Sequence, residues 1–82
     1  MAARKAEIRE WLERAKEQGA SHVIVVCNTF DHEDYPVFVK PDENAQEKSK
    51  EYDGKNMQKI EEVYNLSMDI EVQLNQDRAF NL

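Results

Sequence analysis

The stretch Asp31-His32-Glu33-Asp34, which closely follows Cys27, gathers carboxylate, imidazole and thiol groups in a short span. These are metal-ligand types. Adjacent residues, however, converge on one ion only in a shaped loop, and no zinc or calcium spacing is present. An acidic hairpin loop that discourages edge-to-edge association accounts for the same residues, so no metal ligand is assigned. A nucleophilic role for Cys27 needs a nearby base. His22 lies roughly 16 Å away along an extended chain, and nothing in the pattern fixes His32 against the thiol. A cysteine closing the run Val23-Ile24-Val25-Val26-Cys27 reads as a small core residue. With glycine only at Gly19 and Gly54, no phosphate-cradling loop is possible. No catalytic residue and no cofactor are assigned, and the chain is expected not to be an enzyme.

Binding chemistry has more material. Asn28 and Thr29, followed by Phe30, leave the apolar run, and Tyr52-Asp53-Gly54-Lys55-Asn56 interrupts a helical pattern. A tyrosine stacks, a lysine meets a phosphate and an asparagine pairs with an amide-like edge. Arg78 adds a further cation. Tyr52, Lys55, Asn56, Asn28, Thr29 and Arg78 are therefore the candidate ligand contacts. The rival reading makes Tyr52 core, Lys55 solvated and Asn56 a helix-surface residue.

These residues must be positioned by a small set of elements. Ala2 to Gln18 reads as a helix, with Ile8, Trp11, Leu12 and Ala15 on one face and Gly19 at its C-terminal cap. Val23–Cys27 reads as a strand covered on both faces, and Asn28–Asp34 as a loop. Tyr35–Lys40 reads as an edge strand that accommodates Pro36, the two strands forming an antiparallel hairpin. After Pro41, Asp42 is the expected N-cap of a long helix from Glu43 to Tyr64. Its stripe of Ala45, Ser49, Tyr52, Asn56, Met57, Ile60, Val63 and Tyr64 keeps phase at about 100° per residue. The rival is a break at Asp53-Gly54. Met68, Ile70, Val72 and Leu74 alternate with polar residues, which predicts a third strand on the free edge of the first. The rival there is a helix capped by Ser67. The tail from Asn75 is expected to be irregular and to carry Phe80.

The expectation is one small α+β domain of 82 residues. A chain of that size buries only about 60–65% of its unfolded surface, which favours a homo-oligomer. Phe38 and Phe80 are the expected exposed apolar groups. Seventeen acidic against eleven basic residues give a net charge of −6, which argues against general nucleic-acid binding. No apolar run is long enough to span a membrane and no signal core stands at the N-terminus. With a lone cysteine, the expected compartment is the cytoplasm.

Residues 11–39, WLERAKEQGASHVIVVCNTFDHEDYPVFV, and residues 51–70, EYDGKNMQKIEEVYNLSMDI, resemble a group of short proteins of tailed bacteriophages and bacterial genomes. The resemblance covers most of the chain but brings no reaction and no assigned binding residues. It implies a small, non-structural phage-type protein acting on host systems, in the host cytoplasm if phage-encoded. Three function classes follow. The first is a counter-defence sponge that sequesters a nucleotide-derived immune signal as a small oligomer. The second is a direct inhibitor or acidic decoy of a host defence protein. The third is an accessory structural or regulatory protein without a small ligand.

Overall fold

Five consecutive apolar residues, Val23 to Cys27, are all buried. A strand reaches that state only when both faces are covered and both edges are paired. The computed structural model describes residues 5–30, 33–53, 57–76 and 79–81, and it supplies all four covers. The elements are α1 (Lys5–Glu17), β1 (His22–Asn28), β2 (Glu33–Val39), α2 (Ala45–Tyr52), β3 (Gln58–Asn65) and α3 (Ile70–Leu74). The sheet is antiparallel with order β2-β1-β3, so the fold is α+β with the expected helix, hairpin, helix and strand. Among the described residues no helix is long and apolar enough to cross a membrane.

One sheet face carries Val23, Val25 and Tyr64 beneath Ile8, Leu12 and Ala15 of α1, with Leu74 and Ala79 completing the cluster. Trp11 is half-buried and packs against this core, so it seats α1 on the sheet from the rim. Phe38 also packs there and is not the exposed ring the sequence suggested. Gly19 ends α1 with φ 75°, the left-handed conformation that glycine adopts without steric cost. The other face carries Ile24, Val26, Val39, Ile60 and Val63 beneath Ala45 of α2, with Tyr35, Val37 and Tyr52 around them. The alternation of β2 follows the sequence pattern, and Pro36 sits on an edge strand.

The long helix does not form. α2 ends at Tyr52, with Asp53 as its C-cap, as the rival break at Asp53-Gly54 anticipated. Its N-cap is Asn44, whose side chain accepts a hydrogen bond from the Glu47 N–H at 3.1 Å, and not Asp42. Glu43 instead accepts from Lys40 N–H at 3.0 Å and pairs with Lys48 Nζ at 2.7 Å. Residues 58–64, expected to be helical, belong to the third strand, β3. The helical periodicity arose from a β-bulge. Val25 pairs with Glu62 and Val26 with Ile60, so Glu61 is an inserted residue. The insertion lets Ile60 and Val63, three apart, share one face, which an unbroken strand forbids and a helix mimics.

The predicted strand over 68–74 is the helix α3, capped by Asp69 and not by Ser67. The Asp69 carboxylate accepts from Glu71 N–H at 2.9 Å and from Val72 N–H at 3.4 Å. Gln73 decides the outcome. It is fully buried, and its amide donates to Asn65 O at 2.9 Å while its Oε1 accepts from Asn65 N–H at 2.8 Å. A strand would have turned Gln73 outward with Asp69 and Glu71. In the helix, Ile70, Gln73 and Leu74 face the sheet, while Met68 and Val72 are exposed. The tail then runs beside β3: Val63 N–H donates to Ala79 O at 2.9 Å and Asn81 N–H to Val63 O at 3.0 Å, in a parallel bridge through Phe80. Glu62 adds a second tie, accepting from the Tyr64 hydroxyl and from Ala79 N–H, each at 3.0 Å.

Replacing Gln73 with Ala leaves the end of β3 without its side-chain partners. The expected cost is about 2–4 kcal/mol, from buried groups left unsatisfied, read by urea unfolding. Burial, with the Glu62 charge and hydrogen bond beside it, holds the Tyr64 phenol well above its usual range. The unfolded phenol therefore ionises first, and stability that is intact at neutral pH is lost as pH rises above about 10. Tyr35 is shifted the same way by burial. Tyr64→Phe should accordingly lessen the alkaline loss without abolishing it, which unfolding curves measured across that pH range will test.

Candidate functional site

One end of the sheet gathers the chemistry. Cys27 is opposite Asp34 on one side and Lys59 on the other, and Asn28 is opposite Glu33 and Gln58. Beyond the strand, Thr29 N–H and Thr29 Oγ1 both donate to Met57 O, at 2.6 and 2.7 Å. The turn itself is closed by Asn28 Oδ1, which accepts from Phe30 N–H at 2.9 Å. Met57 has φ 61°, a left-handed conformation that costs energy outside glycine and persists where surrounding contacts impose it. Here the imposing contacts are the two bonds from Thr29. Phe30 is 75% exposed and Met57 58% exposed, so an aromatic ring and a thioether stand in solvent at this end.

Thr29, one of the residues singled out in the sequence, therefore contacts Met57, the residue that follows the polar segment 52–56 in the chain. Lys55, Asn56 and Arg78 lie outside the described residues, as do Asp31 and His32 of the acidic loop. Tyr52 is half-buried against the second core, so its ring is committed largely to packing. Beside it, the hydroxyl of Tyr35 accepts from Gln58 Nε2. Phe30 is the ring that presents a free face.

On the neighbouring surface, one donor atom each from Cys27, Asp34 and Glu61 lies within 4.8 Å of the others. Three strands position them. Cys27 and Asp34 are register partners, so their side chains share a face. The bulge turns Glu61 and Glu62 to that same face. Glu62 goes to Tyr64 and Ala79, while Glu61 joins the thiol and lies 3.6 Å from Lys59 Nζ. The Cys27 thiol is pushed up by burial first, then by its hydrogen bond to Asp34 and the charges of Asp34 and Glu61, against a smaller opposite effect of Lys59. Such a thiol stays protonated and is a poor nucleophile. His22 stands at the far end of β1, with Nδ1 2.8 Å from Ser21 Oγ. It does not activate Cys27, as the sequence distance indicated.

Glu61 was not among the residues singled out in the sequence, where it fell on the outer surface of a helix. The signal that could have found it is Ile60-Glu-Glu-Val63, β-branched residues flanking two carboxylates, a bulge pattern as much as a helical one. Elsewhere, a groove between α1 and α3 is lined by Arg9, Glu13, Lys16 and Glu71, with a volume of about 390 Å³. Arg9 and Glu71 are already engaged with each other there, through Nη2 and Oε2 at 3.0 Å. The chain matches no protein-family model, no curated protein and no solved structure.

Because Asp34 contributes to holding the thiol protonated, alkylation of Cys27 by iodoacetamide at neutral pH should be slower in the folded protein than in urea. Asp34→Asn should accelerate it in the folded state. Equal rates in the parent and Asp34→Asn would show that the carboxylate does not act on the thiol.

Proposed function

We propose that the protein is a non-enzymatic binding protein that takes a small, nucleotide-derived ligand at this end of the sheet. The observation that carries the reading is the double hydrogen bond from Thr29 to Met57 O. It joins the turn bearing Asn28, Thr29 and the exposed Phe30 to the segment that continues into Lys55 and Asn56. A protein of net charge −6 holds an anion only where local cations and oriented donors override its general field. Lys55 supplies positive charge in that segment, and Phe30 supplies a stacking face. The likeness to short phage proteins gives this ligand a context, that of an oligomeric counter-defence sponge for an immune signal. A second copy covering Phe30 and Met57 would enclose the ligand between subunits.

Calorimetric titration with cyclic and linear di- and trinucleotides tests the reading. Binding is expected, and the double change Phe30→Ala with Lys55→Glu should weaken it by more than the ~1–3 kcal/mol of one lost stacking contact. The circular dichroism spectrum should be unchanged. No binding to any of these nucleotides, together with a host protein retained through the same residues, would replace the sponge by the direct inhibitor.

A further inference from the structure

We propose that Cys27, Asp34 and Glu61 form a binding site for a thiophilic divalent cation of the zinc type, independent of the nucleotide ligand argued above. The donors come from three adjacent strands, and their ligand atoms already lie within 4.8 Å of one another. Bonds of about 2.0–2.3 Å place the donors of one tetrahedral ion roughly 3–4 Å apart. Side-chain rotation closes that difference without moving the backbone. The arrangement is fixed by features the sheet needs in any case. Cross-strand register sets Cys27 beside Asp34, and the bulge between Ile60 and Glu62 brings Glu61 to the same face.

The donor set selects the ion. One sulfur with two carboxylate oxygens suits zinc and its surrogate cobalt, whereas magnesium and calcium favour oxygen alone. Three protein ligands leave a fourth position for water or an incoming anion, the pattern of an open zinc site. Charge also balances. On binding, the thiol releases its proton to solvent, so a thiolate and two carboxylates contribute −3 against the ion's +2. The remaining negative charge faces Lys59, whose Nζ is 3.6 Å from Glu61 Oε1. Cys27 is 6% exposed, which shields the metal–sulfur bond from competing water while the carboxylates reach the surface.

Cobalt(II) titration of the full chain under reducing conditions tests the site. One equivalent should bind with a thiolate-to-cobalt charge-transfer absorption in the near ultraviolet, and zinc should displace it. Cys27→Ser should remove the absorption. Asp34→Asn and Glu61→Gln should each weaken cobalt binding by at least about tenfold, the loss seen even for outer-shell partners of metal ligands. Glu33→Gln, one residue from Asp34 but opposite Asn28, should leave it unchanged. Should Cys27→Ser fail to fold, the parent protein gives the reading by itself, since zinc at one equivalent should protect Cys27 from iodoacetamide. Absence of the charge-transfer absorption, unaltered affinity in both carboxylate variants, or equal alkylation rates with and without zinc would overturn the proposal.

Discussion

The burial of β1 on both faces and both edges is the constraint from which the rest of the molecule follows. Each of Val23 to Val26 is at most 1% exposed, and every backbone N–H and C=O along such a strand needs a partner. β2 serves one edge through a hairpin, which the short connection makes inexpensive in chain entropy. The other edge must be served from further along the chain, and only β3 does so among the described residues. α2 is thereby limited to the length that covers Ile24, Val26 and Val63 before the chain returns. α1 and α3 divide the opposite face between them.

The bulge in β3 reconciles two demands that a regular strand cannot meet together. Ile60 and Val63 are both needed over the α2 side, and Tyr64 over the α1 side. Inserting Glu61 restores the alternation after Ile60 and leaves two successive carboxylates on the α1 face. One of them, Glu62, fastens the C-terminal tail. The other, Glu61, stands beside Cys27 and Asp34. The chemistry at this end of the sheet is thus a by-product of how the core was closed, positioned as rigidly as the sheet itself.

Polar ties stand in for the extra hydrophobic mass that so short a chain lacks. Gln73 reproduces a strand's donor and acceptor pair at the end of β3. Glu62 links Tyr64 to Ala79, and Thr29 binds Met57 twice. Each tie holds a segment with few buried apolar groups against one with many. Where such ties end, at Phe30 and Met57, apolar side chains remain in solvent.

The sequence by itself determined α1, the hairpin, the buried character of Val23–Cys27, the place of Pro36 on an edge and the α+β class. All of these rest on local periodicity or on the conformational limits of single residues, such as Gly19. It also singled out Asn28 and Thr29, although the contact of Thr29 with Met57 was beyond it. Tertiary structure alone decided that residues 58–65 are strand and 70–74 helix. In the first case a bulge makes a strand imitate a helical period. In the second, a buried glutamine needs the backbone of Asn65, and that requirement outweighs an alternation of apolar and polar side chains. The grouping of Cys27, Asp34 and Glu61 was illegible for the same reason. It depends on cross-strand register, a relation between distant segments that no spacing along the chain encodes.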